Sequence, residues 1–139
     1  MIQIIAGEKG KGKTKCLLEK VNGAVNSAKG SIVYLDKSSK HMYELNNKIR
    51  LINVSDFPIS NCDEFLGFLC GIISQDHDLE EMYLDSFLTI SAIKDEEITH
   101  AIEKLDVISS AYHVDFWLSV SRDAEKLPEC AKAKVAISL

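Results

Sequence analysis

The sequence predicts an α/β domain of three layers, with a mostly parallel sheet of about five strands and helices on both faces. Three observations predict it. Short apolar runs rich in Ile, Val and Leu alternate with longer stretches whose apolar residues recur every three or four positions. A glycine-rich turn joins the first apolar run to the first amphipathic stretch. Two of the apolar runs end in Tyr-Leu-Asp, at Asp36 and Asp85, and open α/β sheets bind ligands at the carboxyl ends of their strands.

Taken in order, residues 1–6 are an apolar run of strand type. Residues 15–28 carry Leu17, Leu18, Val21, Ala24, Val25 and Ala28 at helical spacing, with Lys29-Gly30 as the expected stop. Residues 32–35 form the second strand, and 37–48 are polar, a loop or a short irregular helix. Residues 49–54 form a third strand, broken by Asp56-Phe57-Pro58. Asn61-x-x-Glu64 opens a helix whose apolar residues, Phe65 to Ile73, cover much of its circumference, so it is expected to be well buried. Residues 75–81 read as an acidic connector and 82–88 as an apolar strand interrupted by Asp85. Asp95-Glu96-Glu97 suit the positive end of a helix with Ile98, Ala101, Ile102, Leu105 and Ile108 on one face. A strand at 114–120 holds the only Trp, Trp117, and a helical turn near 128–133 leads to a last strand at 135–138. Crossovers between such strands are right-handed.

The turn after the first strand reads Gly7-Glu8-Lys9-Gly10-Lys11-Gly12-Lys13-Thr14. It fits G-x-x-x-x-G-K-[ST], the Walker A phosphate-binding loop, in its expected strand–turn–helix context. The glycines allow turns that a side chain forbids and let the backbone approach phosphate closely. Loop N–H groups and the first helical turn then form an anion nest, reinforced by the helix dipole. Lys13 is expected to reach the β- and γ-phosphates and Thr14 to ligate Mg²⁺, while Lys9, Lys11 and Lys15 add local positive potential. Residues 7–15 are therefore the expected binding segment for a nucleotide. A second Mg²⁺ ligand is expected from an Asp at the end of an apolar strand. Asp36 and Asp85 both qualify. Asp85 is preferred, because a carboxylate between Leu84 and Phe87-Leu88 is costly without a cation or hydrogen-bond donors.

The 139 residues are enough for one domain, 1–139, and the 46% hydrophobic and 27% charged content is that of a globular protein. A net charge of −5 argues against a general nucleic-acid binder, which needs a basic face. No apolar run approaches the ~20 residues of a membrane span, and nothing before residue 7 resembles a signal segment. Cys16, Cys62, Cys70 and Cys130 contain no C-x-x-C pair, and three lie in helical patterns where cysteine packs as a small buried hydrophobe. Reduced thiols and a cytoplasmic location follow as the expectation.

With the Walker A loop, a strand ending Tyr34-Leu35-Asp36 and another reading Tyr83-Leu84-Asp85-Ser86, the chain resembles the RecA-like branch of P-loop ATPases. It also resembles the small bacterial P-loop proteins labelled twitching-motility (PilT-like) ATPases. The resemblance implies a P-loop NTPase fold, ATP and Mg²⁺ as ligands, and hydrolysis. It also exposes a departure. RecA-like ATPases polarise water with a Glu two residues beyond the second-strand Asp, where this chain has Ser38; other P-loop ATPases place a Glu directly after the metal-site Asp, where it has Ser86. Asp36 is left as the candidate water-polarising carboxylate, and hydrolysis is expected to be slow or partner-stimulated. Two alternatives stand beside the ATPase: a nucleotide-sensing regulatory or assembly module, and a small-molecule kinase whose acceptor meets Asp36 and the 37–48 segment. Besides the nucleotide, a homo-oligomer or an unidentified protein is the expected partner. Arg122 is expected to pair with Asp123 or Glu125 rather than act on phosphate. Lys37, Lys40 and His41 are expected in a solvated loop, His77 between Asp76 and Asp78 as an ordinary acidic loop rather than a metal site, and Glu96–His100 as a surface helix pair.

Overall fold

The structure, a computed structural model, describes residues 1–139. The sheet has six strands, one for each strand-type run and slightly more than the expected count of about five: β1 (Ile2–Ala6), β2 (Ser31–Asp36), β3 (Ile49–Asn53), β4 (Leu79–Leu84), β5 (Asp115–Val120) and β6 (Val135–Ser138). All neighbouring pairs are parallel, in the order β3-β2-β4-β5-β1-β6. The helices are α1 (Lys13–Ala24), α2 (Cys62–Ser74), α3 (Phe87–Ile90), α4 (Ile98–Tyr112) and α5 (Glu129–Lys132).

Two apolar layers hold the sheet between helices. On one face Ile4, Val33, Leu35, Met82, Leu84, Phe116 and Leu118 pack under α2, α3, α4 and α5. On the other, Leu17, Leu18 and Val21 of α1 pack on Ile5, Ile32, Tyr34, Ile49 and Tyr83. The alternation Ile4/Ile5 and Val33/Tyr34 across these layers is the two-residue period of a strand buried on both faces. On the α1 face Tyr34, Tyr83 and Trp117 lie in register on β2, β4 and β5. Their rings are near-parallel, with centroids 6.4 and 6.5 Å apart, and the Lys20 ammonium sits 5.3 Å above Trp117.

Several expectations are corrected. The first helix starts at Lys13 and its regular part stops at Ala24, so Gly30 does not end it. Gly30 instead lies where a Cβ would come 1.9 Å from the Asp78 carbonyl oxygen, at the entry of β2 beside β4. The strand expected at 82–88 begins earlier, at Leu79, inside the supposed connector, and stops at Leu84. Ser86 turns the chain with φ of 54°, and Phe87 and Leu88 belong to the short helix α3. An apolar run alone does not separate a buried strand from a buried helical turn. Asn61 does cap α2, accepting from the Glu64 N–H at 2.9 Å, while the Glu64 carboxylate reaches back to the Ser60 N–H at 2.7 Å. Only Cys62 of the four cysteines is buried; Cys70 is exposed and all four are free. No helix is long and apolar enough to cross a membrane.

Candidate functional site

Residues 7–12 leave β1 and enter α1 through two left-handed glycines, Gly10 (φ 85°) and Gly12 (φ 91°). A side chain at either is strained, so the local sequence and the turn require one another. From Glu8 to Lys15 no backbone N–H donates to a backbone carbonyl, whereas Gly7 N–H bonds to Val120 and Cys16 N–H to Gly12. Eight consecutive unpaired donors at a helix N-terminus are the kind of arrangement that suits an anion.

The loop borders a cavity of about 370 Å³. Four lysines line it, Lys9, Lys13, Lys15 and Lys37, opposed by one carboxylate, Asp85. The hydroxyls of Thr14, Ser86, Thr89, Ser119 and Ser121 complete the wall with Gly10 and Gly12. The lining thus bears a formal excess of three positive charges in a chain of net −5. Lys13 is mostly buried, and its ammonium donates to the Glu8 carbonyl at 3.0 Å. Burial pulls its pKa down, and the opposite charge of Asp85 partly offsets that.

Asp85, just beyond the end of β4, is buried among donors. Its Oδ1 accepts from the Ser119 hydroxyl at 2.6 Å, the Ser86 N–H at 2.9 Å and the Thr14 hydroxyl at 3.2 Å. Its Oδ2 accepts from the Tyr34 hydroxyl at 2.8 Å. Burial, and secondarily Asp85, push the Tyr34 pKa well up. The expected metal pair, Thr14 and Asp85, is therefore brought together across 71 residues. A hydroxyl and a carboxylate, with serine hydroxyls around them, are oxygen donors of the kind Mg²⁺ takes.

Asp36 stands next to the lining residue Lys37 and within reach of the charge of Asp85, but it does not itself line the cavity. It is 3% exposed. Its Oδ1 accepts from the Lys37 N–H at 2.7 Å, and its Oδ2 has no partner. Burial first, then the negative charge of Asp85, raise its pKa. Of the other expected binding residues, Glu8 places its carboxylate 3.8 Å from Lys126, and Lys11 is exposed and off the cavity.

Arg122 pairs with Asp95 at 2.7 Å, not with Asp123 or Glu125, and it does not line the cavity. His100 lies 4.0 Å from Asp63 rather than bonding Glu96. His77 is exposed, and no cluster of three or more His, Cys, Asp or Glu is placed to hold a metal. His41 pairs with Glu44 at 2.6 Å. Two residues absent from the expected set, Tyr34 and Ser119, bond the key carboxylate. A serine inside the apolar run Phe116–Val120 was a signal for the second, since a buried hydroxyl needs a partner.

No protein-family model and no curated protein matches the chain. Among solved structures, it is similar to the flagellar accessory protein FlaH from Methanocaldococcus jannaschii, with a TM-score of 0.57 and 14% identity. The alignment covers 95% of this chain but 65% of that one. The likeness shows the fold: a P-loop NTPase-like parallel α/β sheet between helices, with β5 inserted between the strand that leads into the loop and the strand that leads into Asp85.

Proposed function

We propose that this chain binds a nucleoside triphosphate, ATP in the first instance, together with Mg²⁺, and hydrolyses it slowly or when a protein partner completes the site. The observation that carries the reading is the run of eight unpaired N–H groups, Glu8 to Lys15, at a cavity lined by four lysines. Lys13 and the loop amides would hold the phosphates, and Thr14 and Asp85 would hold Mg²⁺, which when bound would supply neutralising charge at the phosphate oxygens. In hydrolysis, water oxygen bonds to the γ-phosphorus, the bond to the β-phosphate oxygen breaks, and the water proton passes to an acceptor. Asp36 is the proposed acceptor: its raised pKa suits a base and its Oδ2 is unpartnered. It must first reach the cavity, and that requirement supports slow or stimulated turnover, with a second copy or another protein as the stimulus.

One observation favours a second reading, a nucleotide-sensing module without turnover. Asp85 is the only carboxylate lining the cavity, and serines occupy both usual positions of the polarising Glu. The resemblance to PilT-like ATPases rests on residues 7–14, so motor activity is no part of the proposal.

Titration calorimetry with Mg²⁺–ATP and a phosphate-release assay test both readings. Saturable binding that Lys13→Ala reduces by roughly a hundredfold is expected. Phosphate release lost in Asp36→Asn supports the ATPase, and binding without release supports the sensor. No binding to the wild-type chain would overturn both.

A further inference from the structure

The cavity beside the loop is suited to one part of a nucleotide only. Its twelve lining residues are four lysines, five hydroxyl side chains, two glycines and Asp85, and none is hydrophobic. That wall matches a triphosphate tail with a divalent cation. Selecting a base takes other equipment: a flat apolar or aromatic platform, or fixed donors and acceptors for the ring edge. Base–aromatic stacking alone changes affinity by roughly tenfold or more, and a site built to hydrogen-bond one polar edge rejects analogues that lack it far more strongly.

None of the chain's aromatic side chains lines the cavity. Tyr34, Tyr83, Phe65, Phe87 and Phe116 are each at most 1% exposed. Trp117 has Tyr83 on one side and the Lys20 ammonium over its ring. The exposed rings of Tyr43, Phe57 and Tyr112 do not line the cavity. A recess of about 380 Å³ adjoins the site through Thr14 and Lys15. Its single apolar residue, Leu18, is 8% exposed, and its only ring, His41, is tied to Glu44.

We propose that this site recognises the triphosphate tail and is indifferent to the base, so that its ligand class is any nucleoside triphosphate and inorganic tripolyphosphate as well. The inference rests on the phosphate-loop reading above but fails separately from it. A base bound here projects from the cavity into solvent, and discrimination between purine and pyrimidine is lost.

The test is titration of the full chain, in Mg²⁺, with ATP, GTP, CTP, UTP and inorganic tripolyphosphate. Dissociation constants within about threefold of one another are expected, with none changed by His41→Ala. ATP binding at least about tenfold tighter than CTP and tripolyphosphate would overturn the inference while leaving the phosphate loop intact. A His41→Ala loss confined to the nucleotides would also overturn it, by placing the base in the neighbouring recess. Binding of none of the five ligands would remove the phosphate-loop reading and this inference together.

Discussion

Asp36 and Asp85 stand at matching ends of β2 and β4 with opposite surroundings. Asp85 is met by four donors, whereas Asp36 keeps a buried oxygen with none. The raised pKa of Asp36 means that the folded chain keeps a proton that the unfolded chain releases above the ordinary aspartate value of 3.8. Its contribution to stability is therefore full below that value and lost as pH rises through the raised one. Asp36→Asn is expected to stabilise the chain by about 1 kcal/mol near pH 8 and by almost nothing near pH 3, read from chemical denaturation at each pH. A gain equal at both pH values would contradict the assignment. For Asp85 the informative change is Tyr34→Phe, which keeps the ring and removes the donor to Oδ2. A loss of about 1–2 kcal/mol in thermal unfolding is expected. A higher Mg²⁺ requirement for nucleotide binding should accompany it, with affinity in EDTA unchanged. At this scale the turn between β1 and α1 was legible, because its glycines are local in sequence. Ser119 was marked only as a hydroxyl in need of a partner, and Tyr34 not at all, because their role depends on which strands become neighbours.

Elements were legible where periodicity and caps agreed, as at α2, and less so where an apolar run crossed a boundary. Residues 82–88 show the difficulty: strand and helical turn share the run, and the break is made by the left-handed Ser86, a conformation serine does not advertise. Gly30 shows another. Lys29-Gly30 reads as a helix stop, yet the glycine is required by the backbone of a distant segment, Asp78, which accepts the Ser31 N–H at 2.8 Å. A methyl group at position 30 has rigid main chain as its neighbour, so β2 and the turn before β4 must move apart. Gly30→Ala is expected to destabilise the fold by about 3 kcal/mol, measured by urea denaturation, whereas Gly23→Ala, with open space around it, should be neutral or mildly stabilising.

Across the whole molecule, alternation of strands and helices announced the parallel three-layer class, but strand order was beyond the reach of a single chain's pattern. The order matters because β5 lies between β1 and β4. Ser119 at the far end of β5 thereby stands beside Asp85, and the site closes only when three strands from distant parts of the chain have docked. The same order aligns Trp117, Tyr83 and Tyr34 and sets α1 over them. Helix α1 carries Lys13 and Thr14 at its start and Lys20 above the indole two turns later. The molecule therefore contains an optical gauge of its own. Its single tryptophan lies beside a cation carried on the same helix whose first turn holds Lys13 and Thr14. Addition of Mg²⁺–ATP should alter the intensity of that emission without any attached dye, and Lys20→Met should abolish the response while leaving calorimetric affinity within about twofold. An unchanged spectrum at saturation would mean that the helix does not shift when its end is occupied.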